Sequence, residues 1–112
     1  AELAMNDYAR AALAARRALS LDTGSADAAM LLGYSQLRSR QANAAIATLR
    51  QAVQTHGEHS MLHTLLGQAY AAVGNPVEAR GCYRQALKLD PSNHLAQELL
   101  AAADARQVSS AN

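Results

Sequence analysis

Residues 65–91 read LLGQAYAAVGNPVEARGCYRQALKLDP, and they decide the fold. Inside them Gly74-Asn75-Pro76-Val77-Glu78 marks a helix start. Asn75 suits the N-cap, Pro76 the first helical position, and Glu78 the first turn, where its charge meets the helix dipole. Two helices therefore flank this turn, at about 60–73 and 76–88. Shifted back by 34 positions, the pattern returns. Leu31-Leu32-Gly33 underlies Leu65-Leu66-Gly67, Ala45 underlies Ala79, and Arg50-Gln51-Ala52-Val53 underlies Arg84-Gln85-Ala86-Leu87. That earlier unit places helices at about 26–38 and 42–55, and Ser25 and Ser60 are the expected caps of the two leading helices. Its own turn, Arg40-Gln41-Ala42, carries none of the signals of 74–78.

Working outward, Ala11, Ala15 and Arg17-Ala18-Leu19 occupy the same places one period earlier, so residues 6–21 read as a second helix lacking most of its first. After the third unit, Ser92 or Asn93 opens a last helix reaching about Val108. Composition agrees with helices throughout. Alanine supplies 27 of 112 residues, with two Pro, six Gly and neither Trp nor Phe, which argues for an all-α chain. Small residues have a mechanical job in it. Gly33 opposite Ala45, and Gly67 opposite Ala79, let helix axes approach to roughly 8 Å. Leu32, Leu49, Leu66, Tyr70, Tyr83 and Leu87 fill the space around them, while Ala52 and Ala86 serve where units meet.

These positions resemble the tetratricopeptide repeat family. The third unit carries the resemblance with Leu66, Gly67, Tyr70, Gly74, Ala79, Tyr83, Ala86 and Pro91. The second departs from it at Gln36, where an aromatic is usual, and at Gly57, where Pro is. The resemblance implies an α-solenoid of antiparallel helix pairs, about two and a half repeat units plus a C-terminal capping helix. Residues 1–112 then form a single domain, expected to be a fragment of a longer array because the chain opens without Met. Its parts are the second helix of a partial repeat (6–24), repeats at 25–58 and 59–92, a capping helix at 93–108, and a frayed tail at 109–112. The cap keeps the inward stripe Ala96, Leu99, Leu100 and Ala103, with Gln97 and Asp104 where a following helix would otherwise pack. The front end, with Tyr8, Leu13 and Leu19, has no such cover, so self-association through the N-terminal helix is a second expectation.

Stacked helix pairs curve, and their first helices line the concave side. Asp27, Met30, Tyr34, Leu37 and Arg38 share one helical face, distinct from the packing stripe Ala29, Leu32 and Gly33. One period on, that face shows Met61, Thr64 and Gln68, and Glu98 continues it on the cap. Met adapts its shape and Tyr offers a rigid apolar body with a polar tip, which suits contact with a partner protein or peptide. Some family members clamp a C-terminal carboxylate with Lys, Asn and Arg; Met30, Tyr34, Thr64 and Gln68 stand in those places, so no such clamp is expected.

Chemistry is otherwise sparse. There is no Gly-rich phosphate loop and no nucleophile elbow, and Cys82 reads as a small helical hydrophobe, so no enzyme activity and no cofactor are expected. His59 and His63 are four apart, yet a helix start near Ser60 separates them, and His56, His59 and His63 read as polar turn residues without a metal. The net charge of +1 and the lack of a basic stripe with stacking aromatics speak against nucleic acid. Arg10, Arg16, Arg17, Arg38, Arg40 and Arg50 give the first half a mild basic bias, read as a solvated face. No stretch is long and apolar enough for membrane insertion. The expected role is a non-enzymatic scaffold holding a partner on its concave face. The alternative is a structural spacer or homodimerising segment of a larger repeat protein. The Arg-for-Lys and Ala bias suggests a bacterial source, in cytoplasm or periplasm, and the resemblance adds secretion, pilus or exopolysaccharide-export assemblies as settings.

Overall fold

Capping chemistry sets the helix boundaries. In the computed structural model, which describes residues 2–22 and 24–111 (side-chain surroundings for 6–22 and 24–107), six helices follow one another. They are α1 (Glu2–Leu21), α2 (Ala26–Arg38), α3 (Ala42–Thr55), α4 (Ser60–Ala72), α5 (Pro76–Leu89) and α6 (His94–Ala111). The Ser25 hydroxyl accepts from the Ala28 amide, and Asn75 Oδ1 accepts from the Glu78 amide ahead of Pro76. Ser60 does not cap α4. His59 takes that position without a side-chain bond, and the Ser60 hydroxyl donates instead to the Ala86 carbonyl at 2.7 Å, tying α4 to the end of α5. Asn93 caps α6 through the Ala96 amide. The helix continues to Ala111, beyond the end expected at 108, and Asn112 lies outside the described residues. At the front, α1 starts at Glu2 rather than near residue 6.

Each helix packs on the next in sequence, and α2 also touches α4, one unit away. This nearest-neighbour pattern is that of an α-solenoid, where helix pairs stack in series. The extents are 48 × 33 × 21 Å, and the radius of gyration of 14.2 Å exceeds the roughly 13 Å of a compact domain this long.

Small residues bring the helices close. Ten of the sixteen buried apolar residues among those described are Ala, including Ala45, Ala52, Ala79 and Ala86. A Cβ built on Gly67 would lie 2.5 Å from Tyr83 Cε1 and 3.1 Å from the Ala79 carbonyl oxygen; one on Gly33 would lie 2.5 Å from Leu49 Cδ2. Leu49, Leu62, Leu65 and Leu66 form the main core with Ala29, Ala45, Ala52 and Ala69, and Ala12, Ala15 and Leu32 form a smaller one between α1 and α2. Gln36 is buried and accepts from the Thr48 hydroxyl at 2.7 Å, a polar replacement for an aromatic ring.

Candidate functional site

α4 and α6 meet at their N-terminal ends. Asn93 Nδ2 donates to Ser60 Oγ at 2.8 Å and to Thr64 Oγ1 at 3.0 Å, and the Thr64 hydroxyl donates to the Ser60 carbonyl. Thr64 is therefore fully buried and belongs to this clasp, which corrects its placing on the open face. Toward their C-terminal ends the same helices border an open groove of about 1090 Å³.

Leu37 and Arg38 of α2, Gln68 and Ala71 of α4, Val77 and Arg80 of α5, and Leu99, Ala102 and Arg106 of α6 line this groove. Tyr8 of α1 joins them, and Tyr83, almost wholly buried, contributes its ring. Arg38, Arg40, Arg80 and Arg106 all face it, and among the described residues no carboxylate lines it. Like charges around one concavity add their potentials, so the groove is electropositive although the whole chain is nearly neutral.

Aromatic rings position one of these charges. The Arg38 guanidinium lies 5.9 Å from the Tyr8 ring centre and 6.0 Å from that of Tyr34, within cation–π range. The two rings meet edge-to-face at 5.9 Å. Arg38, then Tyr34, hold the Tyr8 phenol below its ordinary pKa, while Tyr8, followed by burial, raises that of Tyr34.

Of the residues proposed from sequence, the groove gathers Leu37, Arg38 and Gln68, with Tyr34 beside Arg38. Asp27 and Met61, near the N-terminal ends of their helices, are exposed outside the lining, as is Glu98. Met30 is half-buried and packs against the core. Tyr8, Arg40, Arg80 and Arg106 went unrecognised in the sequence as groove residues. Arg40 shares a 34-residue register with Gly74, which also lines the groove, so the repeat itself held that signal. Arg80 lies on a second helix, left out of the trough, and Arg106 lies on the capping helix beyond Glu98; only the docking of α6 brings them together.

Outside the groove, burial, with a smaller contribution from the Glu78 charge, pushes the Cys82 thiol up to about 11. It stays protonated near neutral pH and is a poor nucleophile. A second polar cluster, His56, Glu58 and His59, occupies the turn between α3 and α4. His63 is apart from it, with Nε2 at 2.9 Å from the Gly57 carbonyl. No helix among the described residues is long and apolar enough to cross a membrane.

Two family models match the chain. One, described as anaphase-promoting complex, cyclosome, subunit 3, covers residues 4–86; the other, described as tetratricopeptide repeat, covers 64–111. No curated protein matches in sequence. Among solved structures, the first TPR of Spaghetti (RPAP3) bound to HSP90 peptide SRMEEVD is similar with a TM-score of 0.86 at 18% identity, covering 92% of this chain and 82% of that one. The second TPR domain of human RPAP3, in complex with HSP70 peptide SGPTIEEVD, has a TM-score of 0.82 at 23% identity, covering 88% and 82%. MamA from Desulfovibrio magneticus RS-1 (residue 41 to the end) has a TM-score of 0.81 at 24% identity, covering 91% and 58%. At these identities the likeness is one of fold.

Proposed function

Because the chain belongs to the tetratricopeptide repeat family, a class of protein-interaction modules, we propose that it is a binding scaffold whose groove holds an acidic, partly apolar peptide segment of a partner protein. The observation that carries this reading is the groove's charge: among the described residues four arginines and no carboxylate line it, around apolar Tyr8, Leu37, Tyr83 and Leu99. Arginine forks bind carboxylates in two-pronged fashion, and the apolar groups take the side chains between them. Arg40 adds a second support. It holds a left-handed backbone, φ 63°, that non-glycine residues rarely adopt, and it lines the groove. The peptides named with two structural neighbours, SRMEEVD and SGPTIEEVD, are themselves acidic. Within this reading Leu37, Arg38 and Gln68 touch the partner and Tyr34 steadies Arg38, while Asp27, Met30, Met61 and Glu98 lie outside the contact. A groove of this size fits a modest interface of roughly micromolar affinity. A setting in bacterial secretion, pilus or polysaccharide-export assemblies rests on family resemblance alone.

Fluorescence anisotropy with labelled acidic, neutral and basic peptides tests the reading. Acidic peptides are expected to bind best and to weaken as salt rises. The double variant Arg38→Glu, Arg106→Glu is expected to lose binding at least tenfold while keeping its melting temperature. Equal binding of basic peptides, or an unaltered double variant, would overturn it.

A second reading, self-association, has one supporting observation. Leu13 and Leu21 are 59% and 89% exposed, and Leu31 is 45% exposed where Leu65, one period on, is 5% exposed. Light scattering across concentrations that finds dimers, dispersed by Leu31→Glu, would favour it over a monomeric scaffold.

A further inference from the structure

Three electron-pair donors converge in the turn between α3 and α4, outside the lining of the groove. Each of His56, Glu58 and His59 offers a ligand atom, and the three atoms lie within 4.8 Å of one another. His56 Nδ1 is 3.9 Å from Glu58 Oε1, and His59 Nε2 is 3.6 Å from the same oxygen. In a tetrahedral zinc site with bonds near 2.0–2.2 Å, neighbouring ligand atoms stand about 3.4 Å apart. Shifts of about half an ångström, mostly in the exposed Glu58 side chain, bring both measured pairs to that spacing.

The orientation of His56 is set from outside the cluster. Its Nε2 lies 2.6 Å from the Gly24 carbonyl oxygen, in the turn between α1 and α2. A carbonyl only accepts, so Nε2 carries the hydrogen, and in the neutral ring Nδ1 keeps an unshared pair, 3.9 Å from Glu58 Oε1. Histidine ligands in metal sites are held in this way, with the second ring nitrogen donating to a backbone carbonyl or carboxylate. Because Gly24 and His56 lie 32 residues apart, the fold itself supplies this arrangement.

We propose that His56 Nδ1, Glu58 Oε1 and His59 Nε2 form a binding site for a divalent transition-metal ion of the zinc class at the junction of the two full repeats. Three protein ligands leave a fourth position for water. His63 is not among them, because it lies outside the group of converging donor atoms. The side chains are 24%, 70% and 43% exposed for His56, Glu58 and His59, so the ion enters directly from solvent. Bound there, it fastens the end of α3 to the start of α4 and, through His56 and Gly24, to the turn before α2. The site is independent of the groove and of its partner.

Isothermal titration of the untagged chain with zinc chloride at pH 7.5 tests this. One ion per chain is expected, with a rise in melting temperature at saturating zinc. His56→Ala and Glu58→Gln are each expected to weaken binding at least tenfold, and His63→Ala to leave it unchanged. Imidazole nitrogen shifts in NMR are expected to move at His56 Nδ1 and not at Nε2. Absence of stoichiometric binding, or full affinity in Glu58→Gln, would overturn the site.

Discussion

Arg40 and Gly74 stand one period apart and hold the same backbone shape, φ 63° and 79°. Both end a first helix in the same way. The Gln41 amide donates to the Gln36 carbonyl at 2.8 Å and the Asn75 amide to the Tyr70 carbonyl at 2.9 Å, while Arg40 and Gly74 donate to Leu37 and Ala71. This is a Schellman closure, whose left-handed position favours glycine. The third unit follows the rule and adds the Asn75 cap and Pro76; the second has Arg40, then Gln41 with no side-chain cap. One geometry is thus reached from well-suited and from ill-suited residues. Packing of each helix on its neighbours imposes the turn where local chemistry does not.

That comparison is open to attack by exchanging features between units. The largest effect is expected at the glycines. Gly67→Val drives a side chain into the Tyr83 ring and the Ala79 backbone, and a loss of about 3 kcal/mol or outright unfolding is expected in urea titration. Gly67→Ala is expected to cost more than Gly33→Ala, because the close atoms at Gly33 all belong to the side chain of Leu49, which can rotate. The reverse order would show that the second unit is the more tightly packed.

Next comes the inter-unit clasp. Asn93→Ala removes the Ala96 cap and the bonds to Ser60 and Thr64, with a cost of about 2 kcal/mol. His59, its counterpart one unit earlier, makes no side-chain cap bond, so His59→Ala in zinc-free buffer is expected to cost under about 0.5 kcal/mol. Arg40→Gly relieves the left-handed strain and is expected to raise stability by about 1 kcal/mol while weakening capture of acidic peptides. A gain in stability without any loss of binding would detach Arg40 from the groove's work. The smallest gain is expected from Gly81→Ala. Gly81 sits in α5 where the second unit has Ala47, and a Cβ there meets nothing within 4 Å. Helix propensity alone predicts a gain of about 0.8 kcal/mol, readable as a shift in urea midpoint.

Much of this architecture was legible in the residues. The 34-residue register placed the four helices of the two full units almost to the residue, because small and large apolar positions recur at helical spacing. The Asn75-Pro76 start was legible for the same local reason. Ser60 and Thr64 were misjudged because a hydroxyl near a helix start suits both a local cap and a partner in another helix. Only the arrival of Asn93, about 30 residues later, decides between those uses. The trough was placed along whole first helices, whereas the groove opens toward their C-terminal ends, where α6 contributes Arg106.

The sequence by itself determined the helices, their pairing and their order of stacking, since these follow from periodicity and caps within one or two turns of each residue. Tertiary structure alone decided which charges share a groove, which hydroxyls are sealed between units, and that His56 faces Glu58 with its other nitrogen held by Gly24. Those outcomes depend on how successive helix pairs rotate and close against one another. Small angular changes, accumulated over many residues, move a side chain from open surface to interior, and no local pattern records them.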